Sequence, residues 1–151
     1  MAARAVTETT LGAWLIKCDP RANPTLLRPG PDGVARVTSR CVARGYRAEL
    51  MKAGDRVFLW VSGDGRTLAR GIWGVGHVTG GVEETVTEVF VPVDIPLVAA
   101  PLTDVDLRAV GVHDLEVQRM PAGSNPSWVS NKQLARIERL LGHRAAALTG
   151  A

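Results

Sequence analysis

Apolar residues along the chain fall in short blocks separated by Gly, Pro and Asp. The central blocks are Val57-Phe-Leu-Trp-Val61 and Ile72-Trp-Gly-Val-Gly-His-Val78, on either side of Gly63-Asp-Gly-Arg66. Blocks rich in Val, Ile, Phe and Trp and bounded by turn residues predict two strands of a hairpin. Gly54-Asp55 supplies the turn that launches the first strand. The second carries Gly71, Gly74 and Gly76. Glycines inside a strand signal a bulge, a bend, or close approach of another backbone or a ligand. With Trp60 and Trp73 beside them, the hairpin is either one wall of a pocket or a tight corner with its tryptophans in the core.

The remaining blocks are read in the same way. Gly12 to Cys18 predicts a strand with Trp14, Ile16 and Cys18 on one face and Leu15 and Lys17 on the other. Asp19 to Gly33 holds Pro20, Pro24, Pro29 and Pro31 and predicts a long loop, of the kind that often binds something. Val34 to Val42 fits a helix face through Val34, Val37 and Cys41, and fits a strand through its Val and Thr content. Arg44 to Lys52 predicts one or two helical turns that stop at Gly54. Glu84 to Val93 alternates as a strand and runs into Pro92, Pro96 and Pro101. Thr103 to Val110 predicts a short helix, with Thr103 as N-cap and Asp104 and Asp106 at the positive end of its dipole. Leu115 to Met120 predicts a last strand, and Pro121 to Trp128 a loop. Ser130 caps a final helix over Asn131 to Leu141, whose stripe is Leu134, Ile137, Leu140 and Leu141. Trp128 sits where a staple residue would, and Gly142 closes the helix. Residues 1–10 read as a disordered leader and 143–151 as a frayed tail, leaving 11–142 as a single domain. Five to six strands spaced in this way predict an α+β fold, a small β-barrel or pseudobarrel flanked by short helices.

Composition narrows the function. A chain of 151 residues forms one domain with a sizeable core. No apolar run approaches the roughly 20 residues that span a bilayer. The first ten residues hold one Arg and no apolar segment, unlike a secretory signal, so a cytoplasmic location with no membrane partner is the expectation. Two cysteines are too few for a disulfide scaffold or a four-ligand zinc site, and are expected reduced and buried. The net charge of +3 is uneven. Nine bases face four acids from Arg28 to Arg70, whereas seven acids face one base from Thr79 to Leu115. Such asymmetry makes Arg36, Arg40, Arg44 and Arg47 phosphate candidates, with an ordinary solvated basic face as the alternative. No His-x-x-x-His, Cys-x-x-Cys, Gly-x-Ser-x-Gly or Walker pattern is present, so no catalytic set, metal or cofactor is expected. Cys18 or Cys41 with His77 would make a nucleophile pair, against their reading as small core residues. A recognition profile remains: Trp14, Lys17, Trp60, Ser62, Trp73, Ser124, Asn125 and Trp128. Flat ligands are gripped by aromatic stacking and read at their edges by short polar groups.

The same residues carry a family resemblance. Trp14-Leu-Ile-Lys17, Met51-Lys-Ala-Gly-Asp55, Phe58-Leu-Trp-Val-Ser62, Gly71-Ile-Trp-Gly-Val-Gly76 and Asn125-Pro-Ser-Trp128 stand in this order ahead of a closing helix. Together they resemble an EVE domain over Gly12 to Leu141. That family belongs to the PUA-like superfamily, with YTH and ASCH domains. The resemblance implies a compact β-barrel and a non-catalytic nucleic-acid-binding module. Its aromatic pocket would read a modified base, cytosine-derived and in DNA before RNA. By motif, Trp14 and Lys17 would form the pocket floor, Trp60, Ser62 and Ile72 or Trp73 its walls, and Asn125 and Ser127 its closing loop. Members stand alone or accompany a restriction-type nuclease. The chain departs from the family in Val34 to Val42, which lacks the expected aromatic, so one wall is unassigned. Two alternatives are an RNA-binding module using the same pocket and an ASCH-like hydrolase of small nucleosides. The hydrolase would need Lys17 beside Asp55 or Glu49.

Overall fold

Two strands that are buried on both faces organise the molecule. The computed structural model describes residues 6–20, 36–63, 66, 68–123 and 125–148. Its first strand, β1 (Leu11–Cys18), runs parallel to β3 (Arg56–Val61), with Trp14 opposite Val57 and Cys18 opposite Val61. Side chains alternate along both strands. Trp14, Ile16, Cys18, Val57, Leu59 and Val61 enter one core, and Ala13, Leu15, Phe58 and Trp60 enter a second. Strands covered on both faces carry apolar residues almost continuously, which is why their sequences show runs.

The other elements are β2 (Arg36–Val42), α1 (Tyr46–Leu50), β4 (Gly71–Val78), β5 (Glu83–Glu84), β6 (Val89–Thr103), α2 (Asp104–Ala109), α3 (Glu116–Arg119), β7 (Ser127–Ser130) and α4 (Asn131–Leu148). The strands form one seven-stranded sheet in the order β2-β6-β4-β3-β1-β7, with β5 also on β6. The fold is mixed α+β. The sheet curls over the first core, to which Val37 and Val42 of β2 and Trp128 of β7 all contribute. The helical side covers the second core with Leu107, Val112, Leu115, Val117 and Ile137. The expected barrel is not closed by strand pairing: β2 and β7 end the path, and no ladder joins them among the described residues. A backbone bond from Ala43 N to Asn125 O (2.7 Å) links the segments beside those two ends. No described helix is long and apolar enough to cross a membrane.

Several elements differ from the sequence reading. The ambiguous Val34 to Val42 segment is strand β2 where it is described, because β6 offers it a ladder. Leu115 to Met120 is no strand; it holds the four-residue helix α3, whose start is fixed by Gln118 Oε1 accepting from Leu115 N at 2.9 Å. Glu84 to Val93 is broken by a turn, and the strand that follows continues through all three prolines. Pro92 and Pro96 lie opposite Ser39 and Arg36, flanking a register shift in β2, and irregular pairing is where a strand tolerates Pro. Helix α4 passes Gly142 and runs to Leu148, since one glycine costs about 1 kcal/mol in a helix and good helix formers follow. Val6, within the expected leader, is 3% exposed and its N–H donates to the Tyr46 hydroxyl. Cys18 is buried as expected, but Cys41 is exposed on β2. Most of the Asp19 to Gly33 loop lies outside the described residues. The caps at Thr103 and Ser130 form as read, each returning a bond from the residue three ahead, Asp106 and Gln133.

The glycines of β4 lie against β6, Gly71 and Gly76 on its backbone and Gly74 on the Ile95 side chain. A β-carbon on Gly76 would overlap Asp94 O and lie 2.7 Å from Ile95 Cα; one on Gly71 would overlap Leu102 O. The space beside the tryptophans is therefore filled by β6. Gly76→Ala is expected to lower stability by about 1–3 kcal/mol in urea denaturation, because the strands must separate. Gly81→Ala, which faces open space, should leave the midpoint unchanged.

Candidate functional site

A hollow of about 450 Å³ opens past the end of β3, within the size range of small-ligand pockets. Trp60 borders it from β3, Ser62 from just past that strand, Arg70 from the approach to β4, Asp104 and Arg108 from α2, and Gln118 from α3. Pro121 and Ala122 complete its wall. Trp60 is 4% exposed and packs its indole into the second core. Ser62 is fixed by its N–H and Oγ, both donating to Cys18 O at 2.9 and 3.3 Å. Asp104 N donates to Arg70 O at 2.7 Å, which pins Arg70 at the rim.

Lys17 shapes the wall without entering the hollow. Its ammonium donates to Pro121 O (3.2 Å) and Gly123 O (2.6 Å). Burial depresses its pKa below the ordinary 10.5; the Glu116 charge acts in the opposite direction and Arg47 adds to the depression. The backbone N–H of Lys17 donates to Asn125 Oδ1 at 3.0 Å. Lys17 and Asn125 thus meet each other, holding the loop beside the hollow and not lining it.

Behind that loop lies a buried ion pair. Arg47 Nη1 and Nη2 donate to the two Glu116 oxygens at 2.8 and 2.9 Å, and Nη1 also donates to Pro126 O at 3.1 Å. Ser127 Oγ donates to Glu116 Oε1 at 2.8 Å. The two charged residues are 8% and 6% exposed. Burial opposes the Glu116 charge, but bonds from Arg47 and Ser127 outweigh it and hold the carboxyl below its ordinary 4.5. The bond to Glu116 raises Arg47 above its usual value against the effect of burial. Cys18 is shifted up by burial, so its thiol is a poorer nucleophile than an ordinary cysteine.

The structure separates the expected pocket residues. Trp60 and Ser62 border the hollow. Trp14 does not: it is fully buried in the first core and its indole N–H donates to Asp55 Oδ2 at 3.0 Å. Ile72 is buried core, and half-buried Trp73 donates to Ala69 O at 2.9 Å. Ser127 is enclosed with Glu116, and Trp128 is core at 9% exposure; Ser124 lies outside the described residues. The phosphate candidates do not form a shared basic face. Arg36 pairs with Asp94 at 2.8 Å and Arg44 with Glu84 at 3.1 Å, while Arg47 is internal. Arg40 Nη2 donates to Lys17 O at 3.5 Å. Two of these four candidates are matched to the acidic window: Arg36 of β2 to Asp94 of β6, and Arg44 past the end of β2 to Glu84 of β5. The Lys17–Asp55 pair of the hydrolase alternative is not assembled, since Asp55 accepts from Trp14 and from Lys52 N. Arg70, Asp104, Arg108 and Gln118 were missed as site residues. The Asp104–Arg108 spacing on a helix was the one available signal.

No family model matches the chain, and no curated protein matches it. Among solved structures it is similar to a hypothetical protein from Leishmania major, with TM-score 0.62 and 18% identity over 89% of this chain and 97% of that one. It is also similar to a Pseudomonas putida protein, at 0.60 and 18% over 85% and 98%. Rpa0253 from Rhodopseudomonas palustris matches at 0.56 and 20% over 82% and 88%. At these identities the likeness is one of fold.

Removing one partner of a buried pair leaves a charge without its counterion. Arg47→Ala is expected to cost about 3–5 kcal/mol in urea denaturation at neutral pH. Because folding lowers the Glu116 pKa, its contribution is present above pH 4.5 and is lost as the pH falls through the depressed value. Thermal midpoints of wild type should fall more steeply over that acid range than those of Glu116→Gln.

Proposed function

We propose that this protein is a non-catalytic nucleic-acid-binding module of PUA-like architecture that reads a modified, cytosine-derived base in DNA. The observation that carries the reading is the hollow beside Trp60: it is large enough for a base, has an indole in its wall and arginines at its mouth. The curled sheet, with its ends linked through Ala43 and Asn125, supports the pseudobarrel this reading needs. The ordered motifs that resemble an EVE domain support it independently. Engagement of Lys17 by two carbonyls supports binding over hydrolysis, since its amine already has a structural task.

A base in this hollow would leave the helical stack, at a cost of a few kcal/mol that is least for a base already unpaired. Contacts to the flipped base then offset that cost, and exposed arginines add a salt-dependent phosphate contribution. Oligonucleotides with plain or modified cytosine should therefore be compared at low and high salt. The expected result is a preference for a modified probe that persists as overall affinity falls with salt. Equal affinity for all probes at both salt concentrations would overturn the reading. Tighter binding of the matched RNA would replace DNA with RNA as the target, because only contacts to the 2′-hydroxyl favour RNA.

A further inference from the structure

The polar groups around the hollow divide into those the protein already satisfies and those it does not. Both Asp104 oxygens are engaged, Oδ1 by Gln118 Nε2 at 2.9 Å and Oδ2 by Arg108 Nε at 3.0 Å. Gln118 Nε2 also donates to Val112 O, and its Oε1 accepts from Leu115 N, each at 2.9 Å. The Ser62 hydroxyl proton goes to Cys18 O. Two donors remain. Among the described residues, no protein acceptor meets the Trp60 indole N–H, and the Arg70 guanidinium makes no ion pair or hydrogen bond. Indole is a donor only, and the Trp60 N–H is not among the fully enclosed donors without a partner, so a ligand oxygen can reach it. Two arginines against one carboxylate leave the lining positively charged.

We propose that the hollow is an oxyanion site: its ligand presents a carboxylate or phosphate oxygen to Trp60 Nε1–H and the Arg70 guanidinium. The inference deepens the base-reading function and depends on it only for the ligand's flat body. A methyl substituent would leave both donors without an acceptor. A charged oxygen would satisfy both, and hydrogen bonds to charged groups are the stronger kind. The oxygen comes either from a carboxylated pyrimidine or from a phosphate of the strand.

The test is calorimetry on the full chain with orotate, a pyrimidine bearing a carboxylate, and with uracil as its neutral counterpart. Inorganic phosphate, and oligonucleotides carrying carboxylcytosine, methylcytosine, plain cytosine or a terminal phosphate, complete the set. Orotate or a phosphate-bearing probe should bind about tenfold tighter than its neutral counterpart. Arg70→Gln and Trp60→Phe should each remove most of that difference, with denaturation midpoints confirming that both variants fold. Carboxylate-bearing and phosphate-bearing probes that respond differently to Arg70→Gln identify which source supplies the oxygen. Orotate no tighter than uracil, together with no Arg70-dependent phosphate binding, overturns the proposal. So does a preference that survives both substitutions. A methylcytosine preference unaffected by Arg70→Gln overturns it while leaving the base reader standing. Arg70-dependent orotate binding without discrimination among oligonucleotides supports the oxyanion site and removes the base reader.

Discussion

The contact between Arg47 and Glu116 holds the region around the hollow in register. Helix α1 brings the guanidinium and α3 the carboxylate, and the entry to β7 adds Pro126 O and Ser127 Oγ. Such a pair is not a large net stabiliser, because both charges leave water to form it. Its value is directional: a bidentate fork has one good approach, so it fixes α1 against α3 and both against the turn before β7. That turn presents Asn125, whose side chain meets Lys17 N and whose carbonyl meets Ala43 N. Lys17 in turn grips Pro121 and Gly123 beside the hollow. Charge pairing in the interior thus sets the shape of an opening at the surface.

Elements with strong local chemistry were legible in the sequence. β1, β3 and β4 announced themselves through β-branched and aromatic runs, and α2 and α4 through caps that form as read. Elements decided by distant partners were not. Four residues of α3 are too few to show a period, and Val117 and Leu115 face the core as they would from a strand. β6 survives its prolines because neighbours on both sides supply ladders around them.

The site was legible only in part for the same reason. Trp60 and Ser62 could be found because alternation puts them on one face, at the end of β3 and just past it. Trp14 has the same residue type and a similar strand setting, yet its N–H is claimed by Asp55, 41 residues away. The basic window looked like a surface for phosphate, but Arg36 and Arg44 in it are matched by Asp94 and Glu84 once β2 pairs with β6 and β6 with β5. Arginine content reports charge, but only the pairing shows whether that charge is already matched.

The position of β1 has a consequence for how the chain is made. It is the first of the described strands to be synthesised, yet one of its two neighbours, β7, is the last of them, and the Lys17–Asn125 bond spans 108 residues. A nascent chain leaving the ribosome can pair β1 with β3 but must leave its other edge unpaired until the C-terminal segment emerges. Long-range closure of this kind slows folding and prolongs the time during which an apolar edge is open to other chains. Truncation just before Asn125 would therefore remove the closing step of assembly, not merely a tail.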